Sequence, residues 1–259
     1  MVLRSVSVLE FELAEPGQVG RCEWQVEEAR RDVEVLAWVG RFRFVTARAV
    51  ATRFDVSWQQ ANARVRRLER LGLLGAERQH VSEPRAVFLT GKGHELLGWP
   101  RRRAPRAQVQ REHEAAIVWL VGELERAESA ARVLTERECR RIESSGERQY
   151  SVELADGRRR WPDVVVESGS TRHAIEIEFA PKGSGRLRRI VEAYELSDYD
   201  QAVLLVKSVS LGRRIRSLTL DGSGSVLRPH PRSRTVRVAA WPGLGDDERS
   251  RLDAALALP

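Results

Sequence analysis

Three carboxylates stand where carboxylates are costly. Asp163 follows Pro162 and opens the apolar run DVVVE, while Glu176 and Glu178 alternate with isoleucine in HAIEIEF. Both runs read as strands and the intervening SGST as their turn. An ionised carboxylate buried in such a strand needs a partner. A turn centred on Gly169 and Ser170 sets Asp163 opposite Glu176 or Ile177. Glu176 and Glu178, two apart, share one face of their strand. Cross-strand Cβ atoms lie about 5 Å apart. The spacing therefore predicts the three acids gathered at one end of a hairpin, repelling one another unless a cation lies between them. A hard divalent ion, Mg²⁺ or Mn²⁺, takes oxygen ligands of this kind. It also activates water against a phosphodiester. On that reading Asp163 and Glu176 hold the metal and Glu178 orients or deprotonates water. The alternative is a solvated strand face, with the glutamates simply pointing at water.

The elements that must position these acids can be traced from Gln108 onward. QVQREHEAAIVWLVGELERAE carries an apolar stripe at Ala116, Ile117, Leu120, Val121 and Leu124, so it reads as an amphipathic helix. ARVLTERECRRI reads as a strand, and QYSVELADGRRR contains an Asp-Gly turn. After the acidic hairpin come a helix over about 184–197, the strand QAVLLVK, the helix SLGRRIRSL and the strand TVRVAAW. The order is αβββαβ with additions, an α/β (α+β) class with helices beside a mixed sheet. GSGR, at 183–186, precedes a helix, and Arg186, Arg188 and Arg189 on it stand ready for a DNA backbone beside the acids.

The first half is different. RRDVEVLAWVGRF, then a helix N-capped by Thr46, then SWQQANARVRRLERLGLL N-capped by Ser57, read as three helices. The third buries Ala61, Val65, Leu68 and Leu71, with Gly72 near its end. AERQHVSEPRAVFLT reads as a hairpin and TGKGHELL as a short closing helix. Helix, helix, basic helix, hairpin is the order of a winged helix-turn-helix, whose third helix fits a major groove. Residues 30–106 hold 17 basic against 7 acidic residues, so this unit is more basic than the whole chain at +7. Ser57, Trp58, Gln59, Gln60 and Asn62 are the expected base-edge readers, and Arg64, Arg67, Arg78 and Arg85 the expected phosphate contacts. Trp58 has a second reading, as a core residue at the helix start. An arginine-lined helix face can also be merely solvated, or the unit can serve dimerisation. The expected division is an N-terminal arm over 1–29, the winged helix over 30–97, a Pro- and Arg-rich linker over 98–108 and the second domain over 109–259.

Pro162-Asp163 followed across a hairpin by Glu176-Ile177-Glu178 resembles the signature of the PD-(D/E)xK nuclease superfamily. The resemblance implies Mg²⁺ on Asp163 and Glu176, a further ligand from the preceding helix at Glu114 (with Glu112 or Glu123 behind it), and a lysine two residues past Glu176. This chain has Glu178 there, as some restriction endonucleases do. Lys182, four residues further on, would then supply the missing positive charge and stabilise charge developing on a phosphate. More closely, ARVRRLERLGLL, FLTGKGHELL, REHEAAIVWL, LTERECRRI, RWPDVVVE and AIEIEFAPKGSGRLRRIVEAY, in that order, resemble the replication-relaxation family of plasmids and mobile elements. That family joins a winged helix to a nuclease-like domain. The resemblance implies double-stranded DNA as partner and a role in replication or mobilisation, with a homodimer and a relaxase or replication partner left open.

Composition narrows the field. The formal charge of +7 points to a polyanionic partner. All the basic residues except Lys92, Lys182 and Lys207 are arginine, a skew a GC-rich gene would also produce. Cys22 and Cys139 make neither a disulfide framework nor a zinc spacing. The five histidines, His80, His94, His113, His173 and His230, show no metal-ligand spacing. The start lacks a signal peptide and no run spans a bilayer, so a soluble cytoplasmic protein without membrane contact is expected. No P-loop, Rossmann fingerprint or Ser-His-Asp order is present. Two readings remain: a Mg²⁺-dependent DNA nickase or endonuclease, and a non-catalytic DNA-binding accessory or regulator with a degenerate nuclease fold.

Overall fold

Side-chain caps set the first helices. In the computed structural model, residues 19–78, 84–101, 108–127, 131–180, 182–220 and 235–241 are described. Helix α1 (Val19–Gly40) begins inside the segment read as an arm. Helix α2 (Ala47–Phe54) starts at Thr46, whose hydroxyl accepts from the Ala49 N–H. Helix α3 (Trp58–Arg70) starts at a capping box: the Ser57 hydroxyl accepts from Gln60 N, and the Gln60 side chain accepts from Ser57 N. Ala61, Val65 and Leu68 are buried along one stripe. Leu71, expected on that stripe, is 49% exposed because it lies past the last helical turn. Gly72 follows at φ +71°, the left-handed value that glycine adopts without strain.

Strands β1 (Leu74–Glu77) and β2 (Ala86–Leu89) pair antiparallel, and helix α4 (Gly91–Leu96) packs behind them. A Cβ on Gly93 would come within 2.3 Å of the Leu73 carbonyl, so the glycine permits the close approach of α4 to the hairpin.

The second half holds helix α5 (Gln108–Ala127), strand β3 (Arg132–Thr135), helix α6 (Glu136–Ser144), and strands β4 (Val152–Glu153) and β5 (Arg159–Arg160). Strands β6 (Val164–Ser168) and β7 (Thr171–Glu178), helix α7 (Ser184–Glu195), strand β8 (Gln201–Val206), helix α8 (Val209–Leu220) and strand β9 (Thr235–Ala240) follow. One run departs from expectation. ARVLTERECRRI is a strand only to Thr135. There the backbone N–H and hydroxyl of Thr135 both donate to the Glu138 carboxylate at 2.9 Å, and the chain turns into α6. From that point Cys139 and Ile142 recur at helical spacing and are buried.

The main sheet runs β3-β6-β7-β8-β9, antiparallel through β7 and parallel from β7 to β9. Strand β7 is therefore central and covered on both faces. Ile175 and Ile177 face the cluster containing Leu120 and Val121 of α5, whereas Ala174 packs with Ile190 and Tyr194 of α7. The glutamates that alternate with those isoleucines are thus buried and not solvated: Glu176 is 3% and Glu178 5% exposed. Two-sided helical cover makes this a mixed α/β fold, with eight helices and a mixed sheet among the described residues. None of the described helices is long and apolar enough to cross a membrane.

The two halves share one core. Val35, Val50, Val65 and Val87 belong to the same apolar cluster as Leu120, Val164 and Ile175. Residues 98–101, the start of the segment read as a linker, are tied down: the Pro100 carbonyl accepts from Arg137, and the Arg137 and Arg141 guanidiniums lie over the Trp99 ring at 5.0 and 5.2 Å. Residues 102–107 lie outside the described residues.

Candidate functional site

The register of β6 on β7 pairs Val164 with Ile175, so Asp163, one step before β6, falls opposite Glu176. The Asp163 Oδ2 accepts from the Ile177 N–H at 2.8 Å. His113 Nε2, from α5, lies 3.1 Å from the same oxygen. Glu176 is met by a guanidinium fork: Arg160 Nε donates to Oε1 at 2.9 Å and Arg160 Nη2 to Oε2, while the buried Tyr194 hydroxyl also donates to Oε1. Glu178 pairs with Lys182. The hairpin sets Asp163 opposite Glu176, and Glu176 and Glu178 each meet a protein cation, Arg160 and Lys182.

Electrostatics follow from these contacts. Burial works against the Asp163 charge, but His113 and the Ile177 N–H outweigh it and hold the carboxyl below its usual range. His113 is correspondingly raised: burial opposes its charge, and Asp163 more than compensates. Burial pushes Glu176 up, Arg160 pulls it back, and the nearby Asp163 charge adds to the rise. Burial and the Glu176 charge keep the Tyr194 hydroxyl protonated and donating.

These contacts test the fit of a magnesium ion. Asp163 Oδ1 makes no hydrogen bond among the described residues, so it is open to a ligand. Both oxygens of Glu176 are engaged by Arg160, which would have to withdraw first. Glu114, expected as a third ligand, faces the first half of the chain: it accepts from Arg43 N at 2.6 Å and pairs with Arg43 Nε at 3.6 Å. Among the described residues, no group of three or more His, Cys, Asp or Glu side chains is arranged to hold a metal. In this arrangement Arg160 occupies the Glu176 carboxylate that the expected ion would share with Asp163.

Sequence reasoning missed His113, Arg160 and Tyr194. Arg160 stands three residues before Asp163 and His113 is the immediate neighbour of Glu114, so proximity to the motif was the available signal for both. Tyr194 lies 18 residues beyond Glu176, and only the packing of α7 on β7 brings it in.

Beside Asp163 opens a cleft of about 250 Å³ lined by Arg140, Arg158, Arg159, Arg160, Arg186 and Arg189, with Glu136, Leu154, Trp161 and Ile190. Arg186 and Arg189, expected as DNA contacts, are here, in the opposite half from the expected contacts on and around α3. At the start of α3, Trp58 is 55% exposed and Gln59 is exposed, whereas Asn62 is half-buried. Ser57 and Gln60 are exposed but engaged in the cap. Arg64 donates to Asp32 at 2.9 Å, and Arg67 pairs with Glu28 and, at 3.4 Å, with Asp32. Arg85 pairs with Glu69, and Arg78 lies exposed just after β1. Arg66 and Arg70 of α3 are exposed.

No family model, curated protein or solved structure matches this chain.

Proposed function

We propose that this chain binds double-stranded DNA through α3, as a winged helix joined to a nuclease-like αβββαβ domain whose acid cluster serves to hold structure. The carrying observation is the outer face of α3. A helix start fixed by the Ser57–Gln60 capping box presents an exposed Trp58 and Gln59, with exposed Arg66 and Arg70 further along. A polar helix head of this kind suits a major groove, with flanking arginines on phosphates. The sequence resemblance adds a setting, the replication or mobilisation of a plasmid or mobile element, with a relaxase or replication protein as the natural companion.

The non-catalytic role of the acids is supported by the Arg160 fork on Glu176 and the Lys182 pairing of Glu178, which supply the compensation a metal would otherwise bring. One observation favours the enzymatic reading instead: Asp163 lines the arginine-rich cleft with one oxygen unbonded. In that case Asp163 and Glu176 would hold Mg²⁺, whose chemistry is the activation of water against a phosphodiester. The deciding experiment incubates supercoiled plasmid with purified protein in Mg²⁺, Mn²⁺ or EDTA, beside Asp163→Ala and Glu176→Ala. The expected result is salt-sensitive binding with no nicking by any form. Metal-dependent nicking lost in both variants would establish the acid cluster as an active site.

A further inference from the structure

The cleft beside Asp163 has a charge balance that α3 does not share. Arg140 pairs with Glu136, Arg159 with Glu143 at 3.3 Å and Arg160 with Glu176, each arginine with its own acid. The remaining three have one acid among them: Asp156 takes Arg158 at 2.7 Å and Arg189 at 2.5 Å, and Arg186 makes no ion pair among the described residues. The acid at the cleft's edge, Asp163, is already met by His113 and the Ile177 N–H. Six arginines thus meet five acids, Glu136, Glu143, Asp156, Asp163 and Glu176, and the balance at this one place is positive. A phosphodiester carries one negative charge, whereas a phosphomonoester carries about −1.5 to −2 near neutral pH. The volume of about 250 Å³ is smaller than the roughly 300–1,000 Å³ of drug-sized pockets, so the cleft takes one compact group and not a duplex. Leu154, Ile190 and the Trp161 ring, with the Arg140 guanidinium stacked 3.7 Å from its centroid, give a wall for the sugar attached to that group.

We propose that this cleft holds the terminal phosphate of a nucleic-acid strand, gripped by Arg158, Arg186 and Arg189. The site is separate from α3, and it deepens the nucleic-acid reading above by adding a strand end as a second ligand. Fork-like guanidinium contacts to phosphate oxygens supply both the charge and the geometry.

The test is fluorescence anisotropy on the full chain. Three short single-stranded oligonucleotides of one sequence are compared, bearing a 5′-phosphate, a 3′-phosphate or neither. A covalently closed duplex circle, which has no ends, reports α3 binding by gel shift. A terminal phosphate should tighten binding about tenfold. Arg158→Ala and Arg189→Ala should each remove most of that gain, with the thermal transition and closed-circle binding unchanged. The proposal is overturned if the phosphate confers no gain, if the gain survives both substitutions, or if free deoxyadenosine monophosphate competes as well as the phosphorylated strand. Closed circles left unbound while the phosphate gain persists would sink the α3 reading and leave the cleft proposal standing. The reverse pattern would sink the cleft alone.

Discussion

At the scale of single residues, the chemistry of the centre is set by who neutralises whom. Arg160 is part-exposed, but its partner Glu176 is only 4% exposed at the side chain. Arg160→Ala would strand a buried carboxylate. Such a broken pair costs about 3–5 kcal/mol, whereas replacing both members by apolar residues of similar volume is often near neutral. Urea denaturation should show a large loss for Arg160→Ala and a much smaller one for the double variant Arg160→Met/Glu176→Leu. If Mg²⁺ restores the melting temperature of Arg160→Ala, the acids are competent to take a metal once the guanidinium is gone. The His113–Asp163 pair makes a pH prediction. The folded His113 pKa is raised, so its contribution is fully present below about pH 6.5 and is lost as pH rises through the folded value. The folded Asp163 pKa is lowered, so its contribution is present above about pH 3.9 and is lost as pH falls through the folded value. Stability from the pair therefore peaks in mildly acidic buffer. Urea midpoints measured across pH should decline toward alkaline pH in the parent and decline less in His113→Ala.

Among the elements, α3 is the one whose function and stability can be separated. Its start depends on Ser57, so Ser57→Ala should lower stability by about 1 kcal/mol, read as a shift in the thermal midpoint. Trp58 is more than half exposed and contributes little to the core. Trp58→Ala should weaken duplex binding severalfold by anisotropy while leaving the thermal midpoint in place. If Trp58→Ala melts early and binds DNA normally, the ring is structural and the α3 reading loses its best residue. The other ends of this surface are restrained: Arg64 and Arg67 are held to α1 by Glu28 and Asp32, so their charge is partly spent inside the protein. Substituting them should cost stability as well as affinity, unlike Arg66 or Arg70.

For the molecule as a whole, the shared core and its polar fastenings make the two halves a mechanical unit. Arg41, on the turn after α1, donates to Glu138 at 2.9 Å, to the Val133 carbonyl at 2.7 Å and to Glu125, which also takes Arg53. Arg137 reaches back to the Gly40 carbonyl at 2.6 Å, and Arg111 of α5 pairs with Glu77 of β1. Calorimetry should show one cooperative transition for the whole chain. Arg41→Ala leaves Glu125 with one of its two arginines and Glu138 without its guanidinium. It should lower the transition by about 3 kcal/mol or divide it in two. An unchanged single transition would show that the apolar contacts of α2 with α5 suffice.

Local signals in the sequence determined much of this molecule, because caps, turns and strand alternation act between residues close in the chain. Thr46 and Ser57 marked helix starts, Gly72 an end, and the SGST turn narrowed the residue opposite Asp163 to Glu176 or Ile177, of which the register selects Glu176. The same alternation could not tell whether Glu176 and Glu178 meet water or protein, since that depends on how many layers cover β7. Tertiary packing decided it: α7 lies on the face that carries them and brings Tyr194, while α5 brings His113. It also turned Glu114 toward Arg43 and drew the halves into one core. Partners for a buried charge are chosen by proximity in space, and spacing along the chain carries that information only where a turn makes the two the same thing.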